Sequence, residues 1–224
     1  AMGNWSAYTR EELIDRDRAP LCRCSGFMAP RKGIPWGRLV VDYTPANLFC
    51  RDYVAKAPRA DEVFNKLTVS GAGRYVEIDL AQGYMQVLID EESQRYLTVQ
   101  VNDHLLRSLR LPLGCKSSCA VFANITNTVF QHLSAFLTPF VDDLIFGAPT
   151  NDLLLSRCDQ VFDACNDNTL SVSARKLRIG SDKAGALGFS CSAQGRTLTE
   201  KQRAMVDEFV NSGKLPESPA LLKS

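Results

Sequence analysis

The chain has 224 residues, of which 45% are hydrophobic and 23% are charged. This length and composition can bury a substantial core, as one large domain or two small lobes, and they exclude a disordered or fibrous protein. The 26 Lys and Arg residues nearly balance the 25 Asp and Glu residues, so the net charge of +1 does not indicate a nucleic-acid partner. Residues 21–60 nevertheless carry seven basic and two acidic residues. Either a phosphate-bearing ligand or a merely solvated surface would account for this local surplus.

The predicted elements alternate between strands and helices along the chain. After an irregular stretch to Pro35, β-type apolar runs predict strands at residues 38–43, 75–79, 85–89, 96–101, 105–111, 170–172 and 186–190. Apolar residues at three- and four-residue spacing predict helices at residues 60–67, 117–137 and 151–165. Thr199 and Gln202 form a capping-box pattern for a last helix, which Gly213 is placed to end.

The cysteine, histidine and hydrophobic patterns exclude two other classes of protein. The eight cysteines include no CxxC pair, and neither histidine lies near a cysteine cluster, so a zinc site is not expected. Several cysteines fall in apolar helical patterns, which is typical of free buried thiols in a reducing intracellular compartment. No apolar run approaches the roughly 20 residues of a membrane helix, so a soluble protein without a membrane partner is expected.

Three acidic residues stand out because apolar strand-forming residues surround them: Asp79 in VEIDLA, and Asp142 with Asp143 in FVDDLI, a predicted hairpin at residues 140–146. An ionised carboxylate is costly to desolvate unless a cation accompanies it. Oxygen ligands without His or Cys favour Mg²⁺ or Mn²⁺ as that cation. Two such ions would polarise an attacking hydroxyl and stabilise a leaving pyrophosphate, which is nucleotidyl-transfer chemistry. The alternative is that these are ordinary solvent-facing turn acids.

Five short motifs occur in a fixed order. They are residues 36–43 (WGRLVVDY), 78–86 (IDLAQGYMQ), 111–116 (LPLGCK), 140–145 (FVDDLI), and 187–189 (LGF) with 192–195 (SAQG). Together they resemble the fingers segment, first catalytic Asp motif, dNTP loop, Y/F-x-D-D box and primer grip of the reverse transcriptases of long-terminal-repeat retroelements, especially the Ty3/gypsy group. The resemblance runs from about residue 26 to the last residue. The ordered set is far more specific than any single motif.

The resemblance implies an α+β fold with the fingers and palm of a right-hand polymerase, in which helices back an antiparallel palm sheet that carries the acids. It places the fingers at about residues 26–75 and 90–115, and the palm at 76–89 and 116–195. Residues 1–25 would be an N-terminal extension that opens with a cloning scar, and 196–224 the end of the primer grip and a truncated thumb. The implied location is intracellular: cytoplasm, nucleus or a retroelement particle.

The implied function is RNA- and DNA-directed DNA synthesis. The implied partners are dNTPs and an RNA or DNA template with its primer, and a homodimer or heterodimer stays open. Asp79, Asp142 and Asp143 would hold two Mg²⁺ or Mn²⁺ ions. Tyr84 would form the floor under the sugar and exclude a ribose 2′-hydroxyl; the alternative is that its ring only packs in the core.

The resemblance also implies a set of substrate-binding residues. Arg38 would clamp the incoming triphosphate through forked hydrogen bonds, with Lys32 as an assistant of uncertain register. Gly114 would let the backbone approach the nascent base pair. Lys116, beside the dNTP loop, and Lys176, near the segment that often supplies a proton to pyrophosphate, are lesser candidates that would otherwise be plain surface lysines.

The primer grip would include Leu187 and Gly188. The chain departs from the family pattern in the fingers segment, the dNTP loop and the primer grip. Thr44, Leu113 and Phe189 replace the family's usual Arg, Phe and His. None of these departures removes a metal ligand. They keep open a first rival, a domesticated module that binds nucleic acid or protein without polymerising. A second rival, a metal-dependent nuclease or phosphatase, would leave the fingers and dNTP-loop motifs unexplained.

Overall fold

The computed structural model describes residues 4–31, 33–53, 55, 60–69, 71–186 and 189–212. The strands are β1 Trp5–Ala7, β2 Arg23–Arg31, β3 Ile34–Asp42, β4 Arg74–Asp79, β5 Thr98–Val101, β6 His104–Ser108, β7 Asp143–Ala148, β8 Arg178–Ser181, β9 Lys183–Ala186, β10 Phe189–Ser192 and β11 Gly195–Leu198. The helices are α1 Arg10–Ile14, α2 Thr44–Asn47, α3 Ala60–Val69, α4 Glu91–Tyr96, α5 Ser118–Val129, α6 Asn151–Asp167 and α7 Glu200–Ser212. Short 3-10 turns cover Gly83–Gln86 and Gln131–Leu133. This is the predicted α+β class.

The chain divides into two compact units. The first contains Ala1–Ala57, Leu80–Val129 and Asn166–Ser171. The second contains Pro58–Asp79, Phe130–Cys165 and Val172–Ser224. The chain therefore passes from the second unit to the first immediately after Asp79. The predicted boundaries of fingers, palm and thumb follow function rather than compactness, and they stay a prediction.

The first unit is built on a five-stranded sheet with the order β1-β6-β5-β2-β3, in which only the β2–β5 pair is parallel. The expectation that residues up to Pro35 are irregular was wrong, because residues 23–31 form β2. Pro30 lies where the β2–β3 register shifts, and Pro35 lies on β3 at the edge of the sheet. Both are positions where a strand tolerates proline. The core under the sheet contains Cys24, Tyr43 and Val99.

The N-terminal segment is an integral part of this sheet rather than a loose extension. β1 pairs antiparallel with β6, and Thr9 and Glu12 close a capping box at the start of α1. The Glu12 side chain is only 5% exposed, and its Oε1 atom accepts hydrogen bonds from Arg107 at 2.7 Å and from Arg18 at 3.0 Å. The Thr9 backbone N–H and then Arg107 hold the pKa of Glu12 below its ordinary value.

We expect Arg107→Met to lower the free energy of unfolding by about 2 kcal/mol at pH 7, because it leaves the buried Glu12 carboxylate without its better partner. Since the folded-state pKa of Glu12 is depressed, this contribution is present above its ordinary pKa and is lost as the pH falls through the folded-state value. Urea unfolding at pH 7 and pH 3 measures both effects. The control Arg18→Met removes a 60% exposed partner and should cost less. Equal losses for the two variants would contradict the prediction.

Two predicted elements differ from the structure around the 3-10 turns. The strand predicted at residues 85–89 is absent because Gln82 adopts a left-handed φ of 52° and starts the turn Gly83–Gln86. The Gln86 side-chain amide then donates to the carbonyls of Ala81 and Ser171. The helix predicted at residues 117–137 ends at Val129 and gives way to the turn Gln131–Leu133.

The second unit contains two three-stranded antiparallel sheets, β7-β4-β8 and β11-β10-β9. Helix α3 covers this part of the chain by packing Val63, Phe64 and Leu67 against Tyr75 of β4 and Ile145 of β7. The predictions of a helix near residues 60–67 and of an antiparallel sheet that carries Asp79 and Asp143 are both confirmed. Within the residues that the structure describes, no helix combines the length and apolarity needed to span a bilayer.

Candidate active site

Two of the three predicted acids lie side by side at one end of the β7-β4-β8 sheet. β4 ends at Asp79, β7 begins at Asp143, and these two residues are directly paired in the antiparallel register. The preceding pair, Ile78 and Leu144, is buried at 2% and 0% exposure. Because side chains alternate between the faces of a strand, Asp79 and Asp143 lie on the face opposite this buried pair.

Asp142 lies in the tight turn that leads into β7. Phe140 and Asp143 exchange two backbone hydrogen bonds of 2.9 and 3.0 Å, so Val141 and Asp142 form the tip of a two-residue turn. Val141 has a φ of 56°, a left-handed conformation that is unusual for a β-branched residue. The sequence predicted a hairpin whose tip holds both acids, whereas only Asp142 lies at the tip.

Lys176 contacts the first acid directly. Its ammonium donates to Asp79 Oδ2 over 2.6 Å; the Asp79 side chain is 16% exposed and the Lys176 side chain 64%. The loop that carries Lys176 is anchored to β4, because the Ser173 N–H donates to the Asp79 carbonyl over 2.8 Å. The hydrogen bond to Asp79 raises the pKa of Lys176. Sequence reasoning ranked Lys176 as a lesser candidate, and the structure places it within the acidic site.

The environment of Asp143 disfavours its ionised form. Burial, and then the charges of Asp142 and Asp79, raise the pKa of Asp143 to about 6, although Lys176 partly opposes them. A carboxylate whose pKa is raised by both desolvation and like charges indicates a site with excess negative charge. A divalent cation would relieve that excess.

Glu77 is a residue of this site that sequence reasoning missed. It lies two positions before Asp79 on β4, and its Oε1 atom accepts a 2.7 Å hydrogen bond from the Gly185 N–H of β9. Glu77, Asp79, Asp143, Lys176, Arg175, Arg178 and Gly185 all line a cavity of about 330 Å³. Glu77 ties the strand that ends in Asp79 to β9, the strand just before the predicted primer-grip residues. The alternation in VEIDLA was the available signal, since Glu77 and Asp79 share a face.

The side chains of the site have the ligand chemistry that a hard divalent cation prefers, but they are not arranged as a complete set of metal ligands. All candidate ligands are carboxylate oxygens, which Mg²⁺ and Mn²⁺ prefer. In the described part of the chain, however, no three His, Cys, Asp or Glu side chains are grouped as a metal site. Lys176 occupies the Oδ2 atom of Asp79, so a cation that binds this oxygen competes with the ammonium group.

Tyr84, in the first unit, lies in the turn that follows the left-handed Gln82. Its ring is partly buried and stacks on the fully buried ring of Phe122, with centroids 5.0 Å apart and planes at 29°. Gly83 fits under Phe122 so closely that a Cβ atom would lie 2.6 Å from Phe122 Cζ. The turn therefore depends on a glycine at position 83, and Phe122 orients the Tyr84 ring.

Arg38 and the 114–116 loop also belong to the first unit. Arg38 lies on β3 and is exposed. Gly114 has a φ of 93°, which favours glycine, and its carbonyl accepts a 3.2 Å hydrogen bond from the Asn47 side chain. The Lys116 N–H donates to Asn47 over 2.7 Å, and its ammonium pairs with Asp52. Lys116 thus anchors this loop, and its contact with substrate stays a prediction.

The remaining predicted substrate and primer-grip residues, Lys32, Leu187 and Gly188, lie outside the described residues. The strands that flank the last two are described. β9 and β10 pair antiparallel, with Phe189 opposite Ala186. The roles of all three residues stay predictions.

We expect Asp143→Asn to stabilise the metal-free protein at pH 7 by about 1 to 2 kcal/mol, because it removes a carboxylate whose ionisation the fold disfavours. Since the folded-state pKa of Asp143 is raised, its stabilising contribution is complete below pH 4 and is lost as the pH rises through about 6. Urea unfolding in a chelator at pH 4.5 and pH 7 measures the difference. The control Asp163→Asn, at an exposed position of α6, should change neither value. A less stable Asn variant at pH 7 would contradict the assignment.

Comparisons with known proteins identify the family and the fold of this chain. Residues 26–191 match the family model described as reverse transcriptase (RNA-dependent DNA polymerase). The retrovirus-related Pol polyprotein from transposon 412 of Drosophila melanogaster is 26% identical over 209 residues, which cover 89% of this chain and 16% of that protein. The corresponding polyprotein from transposon gypsy, also from Drosophila melanogaster, is 22% identical over 79% of this chain and 17% of that protein. The chain therefore spans about one sixth of these relatives.

Solved structures show the same fold. A foamy viral protease-reverse transcriptase dRH in complex with double-stranded DNA matches with a TM-score of 0.78 and 22% identity, over 97% of this chain and 35% of that chain. A foamy viral protease-reverse transcriptase in complex with an RNA/DNA hybrid matches with a TM-score of 0.76 and 22% identity, over 93% of this chain and 26% of that chain. Because the family model matches 166 of the 224 residues, from 26 to 191, this chain belongs to the reverse transcriptase (RNA-dependent DNA polymerase) family.

Proposed function

We propose that this chain is the polymerase domain of a retroelement protein and extends a DNA primer on an RNA or DNA template by two-metal nucleotidyl transfer. The observation that carries the proposal is the direct pairing of Asp79 with Asp143 at the end of the β7-β4-β8 sheet, with Asp142 in the adjoining turn. The raised pKa of Asp143 supports the proposal, because a site with excess negative charge gains most from a divalent cation.

Asp79 and Asp142 would hold Mg²⁺ or Mn²⁺, and Asp143 would complete the acidic set. The bound ions would lower the pKa of a primer hydroxyl and neutralise a leaving pyrophosphate. Asp79 is held in place by Lys176 and by the Ser173–Asp79 backbone contact until a cation replaces the lysine. The released Lys176 ammonium, a proton donor with three N–H groups, would then be available to a departing phosphate.

The substrate-binding part of the proposal assigns dNTP contacts to the first unit. Arg38, with Lys32, would bind the triphosphate, Gly114 would allow close approach of the base pair, and Lys116 would hold the 114–116 loop. The exposure of Arg38 and the left-handed φ of Gly114 support these roles. Leu187 and Gly188 would position the primer terminus. A homodimer or heterodimer and an intracellular location belong to the same proposal.

Single-nucleotide primer extension tests the function directly. The chain is incubated with a labelled DNA primer on an RNA or a DNA template, one matched dNTP and Mg²⁺ or Mn²⁺. We expect extension by one nucleotide on both templates, and none in a chelator. A metal titration followed by thermal unfolding provides a second readout, because binding to the folded state raises the unfolding midpoint. Absence of both extension and metal stabilisation would overturn the proposal.

A second candidate is a domesticated module that binds nucleic acid without polymerising. The Lys176–Asp79 ion pair favours it, because a lysine that permanently replaced a metal would leave a folded but inactive site. Primer-template binding that is identical with Mg²⁺ and with a chelator, together with no extension, would support this module. Metal-dependent extension would exclude it.

A further inference from the structure

Two cysteines of the first unit bring their thiols into contact. The Sγ atoms of Cys50 and Cys115 are 3.5 Å apart, although the residues are separated by 65 positions in the sequence. Both thiols are free and only partly buried. A disulfide bond is about 2.05 Å long, so the sulfur atoms would have to approach by about 1.5 Å. Rotation of two side chains that already point at each other can supply that movement.

The backbone segments that carry the two thiols are joined on both sides of them. Asn47, three residues before Cys50, makes hydrogen bonds to the Gly114 carbonyl and the Lys116 N–H, which flank Cys115. Asp52, two residues after Cys50, pairs with the Lys116 ammonium. These contacts keep the two thiols together in the reduced protein, so an oxidised pair does not require a new arrangement of the chain.

We propose that Cys50 and Cys115 form a redox modification site that closes to a reversible disulfide when a peroxide oxidises it. In the first step the Cys115 sulfur attacks hydrogen peroxide, forming a sulfenic acid and releasing one water molecule. In the second step the Cys50 sulfur attacks the sulfenic sulfur, forming the S–S bond and releasing a second water molecule. Two thiols thus lose two electrons and two protons, and the peroxide gains them.

The surroundings of the pair support this assignment of roles. Burial, and then the neighbouring Cys115 thiol, raises the pKa of Cys50 to about 11, so Cys50 is the poorer nucleophile toward peroxide and the first step falls to Cys115. In the second step the Cys50 proton leaves with the sulfenic hydroxyl as water. Ser117 Oγ lies 3.8 Å from Cys115 Sγ, so the sulfur that reacts in the first step has a polar neighbour. In a reducing compartment such a pair records oxidation rather than acting as a permanent cross-link.

The chain provides its own controls. Cys119 is exposed and lies in α5, four residues after Cys115, so it is the thiol that unspecific oxidation would reach first. Cys24 on β2 and Cys22 just before this strand are close in sequence but are only 1% and 8% exposed. Access alone therefore favours Cys119, and proximity alone would also allow Cys22 with Cys24. Only Cys50 and Cys115 combine contact with access.

The test is peptide mapping of the full chain after reduction, brief treatment with hydrogen peroxide, alkylation and digestion without reductant. We expect one linked peptide pair containing Cys50 and Cys115, a loss of two thiols per chain, and recovery of both with dithiothreitol. Closing this 66-residue loop should raise the unfolding midpoint by about 5 °C. Cys119→Ser should form the same bond, whereas Cys50→Ser and Cys115→Ser should not.

Three outcomes would overturn the proposal: no disulfide in a natively folded chain, a dimer linked through Cys119, or a Cys22–Cys24 bond in place of the proposed one. Circular dichroism of each variant identifies any that fails to fold, and the wild-type mapping stands independently of the variants. None of these readouts depends on nucleotide incorporation, so they do not share the outcome of the primer-extension test.

Discussion

Asp142→Asn and Asp79→Asn are each expected to reduce nucleotide incorporation by about 10³-fold or more, because each removes a charge that would hold a catalytic cation and its developing transition-state charge. The fold should survive, since a metal-free cluster of acids repels itself and loses that repulsion in the variants. For Asp142→Asn, activity and stability are therefore expected to change in opposite directions, whereas Asp79→Asn also loses its ion pair with Lys176, which offsets the gain in stability. Single-turnover primer extension and urea unfolding, performed on the same preparations, measure the two quantities.

A matched control separates the loss of a ligand from the loss of any surface charge. Asp182→Asn removes an exposed acid between β8 and β9 in the same unit and should leave extension unchanged. Asp79→Asn also frees Lys176 from its ion pair, so this variant alone should remove the Asp79-dependent rise in the pKa of Lys176. Full primer extension by both Asp79→Asn and Asp142→Asn would show that Asp79 and Asp142 are ordinary turn acids.

The secondary structure that could be predicted from the sequence is the part in which one local signal dominates. Helix α6 extends from 151 to 167 because Leu154, Cys158, Val161 and Cys165 recur on one buried face. β2 was missed because the stretch up to Pro35, which contains Pro30, was predicted to be irregular. In the folded chain a side group at Gly26 would collide with Val99, and Pro30 lies at a register shift. Both causes are tertiary contacts that no local pattern contains.

The acidic site, too, could be predicted only in part from the sequence. Asp79 and Asp143 could be found because a charge in an apolar strand is conspicuous before any fold is known. Their direct pairing depends on the β4–β7 register, and the Lys176 contact depends on a loop almost 100 residues away along the chain. Glu77 gave only a weak signal, because its hydrogen bond to Gly185 joins β4 to β9 and neither segment predicts the other. The sequence thus indicates which side chains are charged, and the tertiary pairing of strands and loops determines which of them lie in the same site.

Tyr84→Ala is expected to raise the ratio of ribonucleotide to deoxynucleotide incorporation on the order of 10²-fold, because it opens the space that a 2′-hydroxyl would occupy. The Tyr84 ring is suited to this role because the ring beneath it is buried, not because Tyr84 itself is buried. It is partly exposed, and its stacking on the fully buried Phe122 fixes its position. A supported, partly exposed ring forms a rigid wall, whereas a ring that only packs in the core would be buried itself.

Two further variants separate a steric wall from a packing defect. Tyr84→Phe keeps the ring and should retain the wild-type ratio. Phe122→Leu keeps Tyr84 but weakens the surface on which it stacks, so it should raise the ratio less than Tyr84→Ala while costing more stability, because Phe122 is fully buried. The measurement is competitive incorporation of matched rNTP and dNTP, with urea unfolding of each variant. An unchanged ratio in folded Tyr84→Ala would assign the ring to core packing and remove Tyr84 from the substrate-binding residues.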